Sequence, residues 1–325
     1  MHILLVNGTP IPALRYGGTE RVIWDLGKAL VAKGHRVSYL VPAPSSCPFA
    51  TVLTIRADQS WNAQIPKDVD LVHFQFHPKQ PIDKPHLVTE HGNARKRKPL
   101  PLNTVFVSKN HAQRYGSTQF VLNGLDWSCY GPVNFERPRE RFHFLGKGSW
   151  SVKNLRGAIQ VARQAGVELD VLGADRFQFR RGLRLTFSRR IHFHGMVGGE
   201  VKNQLLNRSR GMVFPVRWHE PFGLAIIESL YFGCPIFATP YGAIPEIVGP
   251  SFGHLATCAS GLAEALHTTH RFDPRECHQH ALTNFSAQRM TEDYLRYYER
   301  ILDGENLHQT PVQILDPTRN LPWTR

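Results

Sequence analysis

The segment Arg217 to Gly233, RWHEPFGLAIIESLYFG, sets two carboxylates around a site suited to an anion. Pro221 disfavours helix at the residue before it and suits a first helical turn, which puts Glu220 in a loop and Glu228 on the helix that follows. Two acids then reach one cleft from different elements. Between them Phe222, Gly223 and Leu224 offer backbone N–H groups at a helix N-terminus, where hydrogen bonding and the macrodipole both favour a diphosphate. Gly223 lets a ligand approach the backbone closely. Without a ligand, the same residues read as an amphipathic helix with a Glu on its wet face. Against that, Glu228 lies within the apolar run Leu224, Ala225, Ile226, Ile227 and Leu230. A buried carboxylate there needs donors, and ligand hydroxyls would serve.

Other residues could add to such a site. In HFLGKGSWSVKN, Lys147 and Lys153 follow a strand. Two ammonium groups in a strand-to-helix loop can neutralise a diphosphate as leaving-group charge develops, and open α/β sheets bind ligands at that end. Gly17 and Gly18 stand between the first strand and the first helix, with Thr19 available as a cap. They admit a phosphate or simply make a tight turn, and they are not the G-x-G-x-x-G dinucleotide pattern. His91, before Gly92 at a strand end, could bond a sugar or move a proton, or be one more of 17 histidines. The run Arg95 to Lys98 beyond it is solvated charge or a contact for an anionic acceptor or lipid surface. Asp68 and Asp70 form a D-x-D that could hold Mg²⁺, but Pro66 and Lys67 before it and Leu71 and Val72 after it make it the polar entry to a strand.

The elements that must position these groups alternate. Strands are expected at 2–6, 36–41, 52–55, 70–74, 86–89, 105–107 and 119–122, with a helix through Val22, Ile23, Leu26, Ala29 and Leu30 that Gly34 stops. No period holds around 130–141. A second series follows, with strands at 142–145, 168–172, 191–194, 211–215 and 235–238. Its helices are expected at 154–165, 199–207, through Glu228 with Pro221 in the first turn, and at 261–267. The pattern predicts an α/β protein of two doubly wound domains. They are placed at 1–130 and 131–285, with a helix at 286–304 crossing back to the first domain and a polar tail at 305–325 that frays.

The 325 residues carry 39 Lys and Arg against 26 Asp and Glu, a net charge of +13 that points to a polyanionic partner. No apolar run reaches membrane-span length, and HILLV is too short for a signal peptide, which predicts a cytoplasmic chain. Cys47, Cys129, Cys234, Cys258 and Cys277 are odd in number and lack C-x-x-C spacing, so a disulfide framework and a zinc site are not expected. In a cytoplasmic chain the sequons at Asn7, Asn207 and Asn284 carry no meaning.

Together these residues resemble the family 4 retaining glycosyltransferases of GT-B fold. The resemblance includes GGTE at Gly17 to Glu20, His91-Gly92, VSKN around Ser108, VLNGLD at Val121 to Asp126, the two lysines and FHGMV at Phe193 to Val197. Most specific is the E-x7-E pair Glu220 and Glu228 with PFG between, followed by GCPIFAT and GAIPEIV. It implies two Rossmann-like domains facing across a cleft, the first binding an acceptor and the second a nucleotide-diphosphate sugar, a UDP-sugar in preference to a GDP-sugar. By position, Glu228 would hold the ribose, and Lys147 and Lys153 the diphosphate. Pro221, Phe222, Gly223 and Leu224 with Glu220 would hold the sugar and its phosphates. Gly17 and Gly18 would close over the diphosphate, and His91 would contact the sugar. His91 and Glu220 are the expected catalytic pair, with Glu220 in an electrostatic and positioning role.

The resemblance further implies transfer of a hexose with retention, with no metal or cofactor, to a glycan, lipid-linked or envelope-precursor acceptor. The charge would then draw the chain peripherally to the inner face of the membrane. Three features depart from the family: Gly146-Lys147 stands where Gly-Arg is common, Ala243 replaces a frequent Gly, and the first domain is short. The alternatives are another GT-B enzyme such as a sugar-nucleotide epimerase, or a non-enzymatic polyanion binder. For the latter, Arg180, Arg181, Arg184, Arg189 and Arg190 lack a stacking platform beyond Phe177, Phe179 and Phe187, so no nucleic-acid partner is expected.

Overall fold

The computed structural model describes residues 1–13, 17–179, 183–318 and 320–324, so Arg180 and Arg181 lie outside the described residues. The chain divides into two compact units, Met1–Asp126 with Phe285–Pro317, and Trp127–Asn284 with Thr318–Arg325.

In the first unit, β1 (His2–Val6), β2 (Arg36–Val41), β3 (Thr51–Thr54), β4 (Leu71–Phe74), β5 (His86–Glu90) and β6 (Thr104–Phe106) form one parallel sheet in the order β3-β2-β1-β4-β5-β6. All five residues of β1 are buried, as expected for a strand covered on both faces. The Gly18–Ala32 helix buries Val22, Ile23, Leu26 and Leu30, and Gly34 at φ +84° follows its end. Against it packs the Ala287–Leu302 helix, whose buried stripe Met290, Tyr294, Tyr298 and Ile301 follows helical spacing.

In the second unit, β7 (Arg141–Leu145), β8 (Leu169–Leu172), β11 (Ile191–Phe193), β12 (Ser209–Phe214), β13 (Ile236–Ala238) and β14 (Gly253–Leu255) repeat that topology, in the order β11-β8-β7-β12-β13-β14. A hairpin of β9 (Phe177–Gln178) and β10 (Arg184–Leu185) is inserted between β8 and β11. In both sheets the strand order reverses beside the first strand, between β1 and β4 and between β7 and β12. Open α/β sheets bind ligands beyond the carboxyl ends of the strands at this point.

Two expectations need correcting, and strand β14 and a late helix went unforeseen. Residues 119–122 are not a strand, since Phe120 makes only an isolated bridge to Phe106. The tail expected to fray is anchored: Leu307 and Ile314 are buried, Leu100 N bonds Val312 O at 2.9 Å, and Ala259 N bonds Thr324 O at 3.0 Å. Strand β14 went unforeseen because Gly-His-Leu carries no strand pattern, and Gly253 is there because a Cβ would lie 2.0 Å from Ile236 O. The Pro274–Asn284 helix was missed because PRECHQHALTN buries only Cys277 and Ala281.

Candidate active site

Two loops flank the reversal point of the second sheet, and hydrogen bonds stitch them together. After β7, the turn Ser151–Lys153 ends at Asn154, which takes the left-handed φ of +53°. The Asn154 side chain accepts from Gly157 N at 3.1 Å, capping the Leu155–Gln164 helix. Its amide also donates to Pro215 O at 2.8 Å, in the loop after β12. Arg217 N bonds Val152 O at 2.7 Å. Residues 150–154 and 215–220, far apart in sequence, thereby become one wall.

That wall fixes Lys153 on Glu220. The ammonium donates to Glu220 Oε2 at 2.6 Å, and Trp218 Nε1 donates to the same oxygen at 2.8 Å. Lys153 also sits over the rings of Phe214 and Trp218, at 5.1 and 4.9 Å from their centroids. Both side chains of the ion pair are largely buried, Lys153 at 11% and Glu220 at 6% exposure. Glu220 is pinned in main chain as well, pairing with Gly242, and its carbonyl accepts from Ala243 N at 2.8 Å. Gly242 has φ +69°, and a Cβ on it would lie 2.3 Å from both N and O of Glu220. Only glycine fits this approach.

The helix carrying Glu228 starts later than expected. It spans Leu224–Tyr231 with Gly223 as N-cap at φ +100°, ψ +66°. Pro221 and Phe222 are therefore buried loop residues ahead of the helix, while Gly223 and Leu224 are only partly covered. The left-handed turn at Gly223 does the work assigned above to Pro221.

Glu228 itself is buried at 2% exposure and finds its donors in the protein. The Tyr130 hydroxyl donates to Oε1 at 3.0 Å, and the ammonium of Lys202, from the Gly199–Asn207 helix, pairs with the same oxygen. Lys202 also lies 4.9 Å from the Tyr130 ring centroid. Neither Lys202 nor Tyr130 was singled out from the sequence. A lysine near the polar start of a helix carries no signal by itself. Lys147 stands apart from the Lys153–Glu220 pair, over the Trp150 ring at 5.7 Å. Its loop is held by Gly173, where a Cβ would lie 2.3 Å from Gly146 O.

In the first unit, the candidates again follow strands at their carboxyl ends. Gly17 is the N-cap of the first helix, a place expected for Thr19, and a Cβ on Gly17 would meet Glu20 Oε2 at 2.5 Å and Ala13 Cβ at 2.8 Å. Gly18 is the first helical residue, and Thr9 Oγ1 donates to Glu20 Oε1 at 2.6 Å across the same turn. His91, after β5, has Nε2 2.7 Å from Gln75 Oε1, after β4. Because that oxygen accepts, Nε2 carries the proton and Nδ1 is the acceptor. Burial pushes the His91 pKa down to about 4 against the opposing pull of Glu90, so the ring is neutral at pH 7. Burial also works to raise the Glu90 pKa, but hydrogen bonds from His77 at 2.6 Å and Gly92 N at 2.9 Å outweigh it and leave it lowered. Gln75, buried with Nε2 lacking a partner, is another residue the sequence did not disclose.

The D-x-D lies at the opposite, amino end of the first sheet. Asp68 pairs with Arg36, and Asp70 accepts from His2 N at 2.7 Å.

The segment that carries the loops around β7 and β12 matches a known family. Residues 140–270 match the family described as Glycosyl transferases group 1. The matched segment contains Lys147, Lys153, Lys202, Glu220 and Glu228. No curated protein matches the chain. Among solved structures it is similar to AviGT4, a glycosyltransferase involved in avilamycin A biosynthesis, at 22% identity and a TM-score of 0.75, covering 94% of this chain and 98% of that one. Sucrose-phosphate synthase from Thermosynechococcus elongatus follows at 17% identity and TM-score 0.70, covering 94% and 100%. The Anabaena protein HepE, in complex with UDP and glucose, aligns at 15% and 0.65, covering 92% and 99%. The fold is that of the GT-B glycosyltransferases, with two parallel six-stranded sheets.

Proposed function

We propose that this protein is a retaining glycosyltransferase that moves a hexose from a nucleotide-diphosphate sugar to a glycan, lipid or envelope-precursor acceptor. The observation that carries this reading is the buried Lys153–Glu220 pair beside the left-handed Gly223 at a helix start, at the reversal point of a sheet within the matched segment. A UDP-sugar is the favoured donor, in keeping with HepE and its bound UDP and glucose.

The assigned roles follow from the chemistry of each group. Glu228 accepts from the ribose hydroxyls. The Gly223–Leu224 backbone and Lys147 and Lys153 take the diphosphate, and the two ammonium groups supply the positive charge a metal would otherwise bring. Glu220 positions the sugar and stabilises charge on it. Its Oε2 already accepts from Lys153 and Trp218, which makes it a poor nucleophile and a well-oriented acceptor. Pro221 and Phe222 hold Gly223 in place. In the first unit, Gly17 and Gly18 offer close backbone approach to the diphosphate, and neutral His91 bonds the sugar through Nδ1. Among the described residues no helix is long and apolar enough to cross a membrane, and the +13 charge suits work at an anionic membrane surface.

A screen of nucleotide sugars read by nucleotide release tests this assignment. Release from a UDP-sugar, with the anomeric configuration kept in the product, supports it. An inverted product overturns retention, and no release from any UDP-, GDP- or ADP-sugar overturns the assignment.

A further inference from the structure

Half of the large apolar side chains exposed among the described residues fall within one segment, 177–187: Phe177, Phe179, Leu183, Leu185 and Phe187. Phe179 and Phe187 are 76% and 75% exposed. This is the β9–β10 hairpin and its flank, and its pattern is inverted. Along 183–187 exposed and buried residues alternate, with leucine and phenylalanine outside and Arg184 and Thr186 inside. The antiparallel register sets Leu185 opposite Phe177 and Arg184 opposite Gln178, so the apolar residues share the outer face. A one-residue slip would bury them.

The structure holds them outward instead. Arg184 donates to Asp175 O at 2.6 Å and to Thr186 Oγ1 at 3.3 Å, and its guanidinium lies 5.0 Å from the Phe193 ring centroid. Arg176 straps the return of the segment, bonding Thr186 O and Ser188 O at 3.1 Å and Ile191 O at 2.8 Å. The display of apolar side chains is thus built into the hydrogen bonding of the hairpin.

Charge identifies what it meets. From Arg176 to Arg190 the sequence holds six arginines and no acid. Arg189 and Arg190 are exposed, as are Arg156 and Arg163 on the neighbouring helix. Arg156 and Arg163 line a groove of about 550 Å³ together with Leu183, Leu185 and Thr186. An apolar face alone would suit a second copy of the chain, but copies of net charge +13 would bring these arginines together. An interface with acyl chains below and anionic headgroups around them satisfies both features.

We propose that the described residues 177–179 and 183–187 of this hairpin form a membrane-docking wedge. Its phenylalanines and leucines enter the headgroup–acyl boundary of an anionic bilayer while Arg156, Arg163, Arg189 and Arg190 bind lipid phosphates. This deepens the membrane-surface element of the proposed function and rests on that element alone, not on the donor chemistry.

Co-sedimentation of the full chain with vesicles tests it without any nucleotide, so its outcome is separate from that of the transferase assignment. Binding is expected to vesicles of phosphatidylcholine and phosphatidylglycerol in equal parts and not to phosphatidylcholine alone, and to weaken with salt. Replacing both exposed rings (Phe179→Ser with Phe187→Ser) should lower the affinity about tenfold or more at unchanged melting temperature. Arg189→Ser with Arg190→Ser should flatten the salt dependence. Failure to bind the mixed vesicles, or full affinity in the double serine variant, overturns the proposal. So does retention on a single-stranded RNA in the absence of vesicle binding.

Discussion

Lys153 Nζ and Glu220 Oε2 lie 2.6 Å apart, though 67 residues separate them in sequence, and both are shielded from solvent. Removing one partner leaves the other as a buried, uncompensated charge. Lys153→Met should therefore destabilise the protein by about 3 kcal/mol in urea unfolding. Adding Glu220→Gln should recover part of that loss. Strictly additive effects of the two substitutions would show that the pair is not coupled.

The Lys202–Glu228 pair makes a parallel prediction for stability. Lys202→Met strands the carboxylate of Glu228, with Tyr130 as its remaining named donor, and should cost about 3 kcal/mol of stability. Lys202→Arg, which preserves the charge, should cost less. Thermal melts of the two variants compare them directly, and equal losses would place the effect in packing, not in charge.

Gly242 and Gly223 should tolerate alanine poorly, for reasons that differ. At Gly242 a Cβ would press on the Glu220 backbone, whereas at Gly223 it would meet Ile226 Cδ1 at 2.8 Å, the mobile end of a side chain. Both carry the added strain of positive φ, about 1–3 kcal/mol. Gly242→Ala is expected to be the more destabilising and to abolish transfer through displacement of Glu220. A fully active Gly242→Ala enzyme would remove Glu220 from the site.

His91→Ala should lower turnover while donor affinity is nearly kept. Because the ring titrates near pH 4, its contribution to turnover should be level from pH 6 to 8 and fall as acid approaches that value. A rate that follows a pKa near 6.5 and vanishes in the alanine variant would mean that His91 titrates as an exposed histidine.

Acid stability tests a different pair of histidines. His73 lies between Tyr298 OH and Thr89 Oγ1 at 2.8 and 2.7 Å, and His143 between Ser209 Oγ and Ser229 Oγ at 2.6 and 2.8 Å. Burial lowers each to about 3 from an ordinary value of 6.5. Between those values the unfolded chain binds more protons, so stability is complete above pH 6.5 and falls as pH drops towards 3. His143→Gln should flatten this slope in melts taken from pH 7 to 4. An unchanged slope would assign the acid sensitivity elsewhere.

The sequence disclosed much of this architecture through its apolar runs. The all-buried β1 and the periodic 287–302 helix were legible because burial dictates their residue types. The β9–β10 hairpin was not, since its outer face carries the apolar residues that pattern reading assigns to a core. At the site, Glu220, Gly223 and Glu228 stood out by spacing. Lys202 and Tyr130 did not, because donors brought across 26 and 98 residues to Glu228 leave no local trace, and Trp218, two residues before Glu220, carries no donor pattern of its own. The helix start was misplaced by three residues because Pro221 was given weight that belongs to the left-handed Gly223.

The most direct test of the central claim is calorimetric titration of UDP into the wild-type chain and Glu228→Ala. Binding to the wild type, weakened about tenfold or more in the variant, is the predicted result, since a charge-assisted hydrogen bond to a ribose hydroxyl is worth about 1.5–3 kcal/mol. Equal affinity in the two proteins would contradict the ribose assignment. Absence of binding by UDP, GDP and ADP alike would contradict the nucleotide-sugar reading itself.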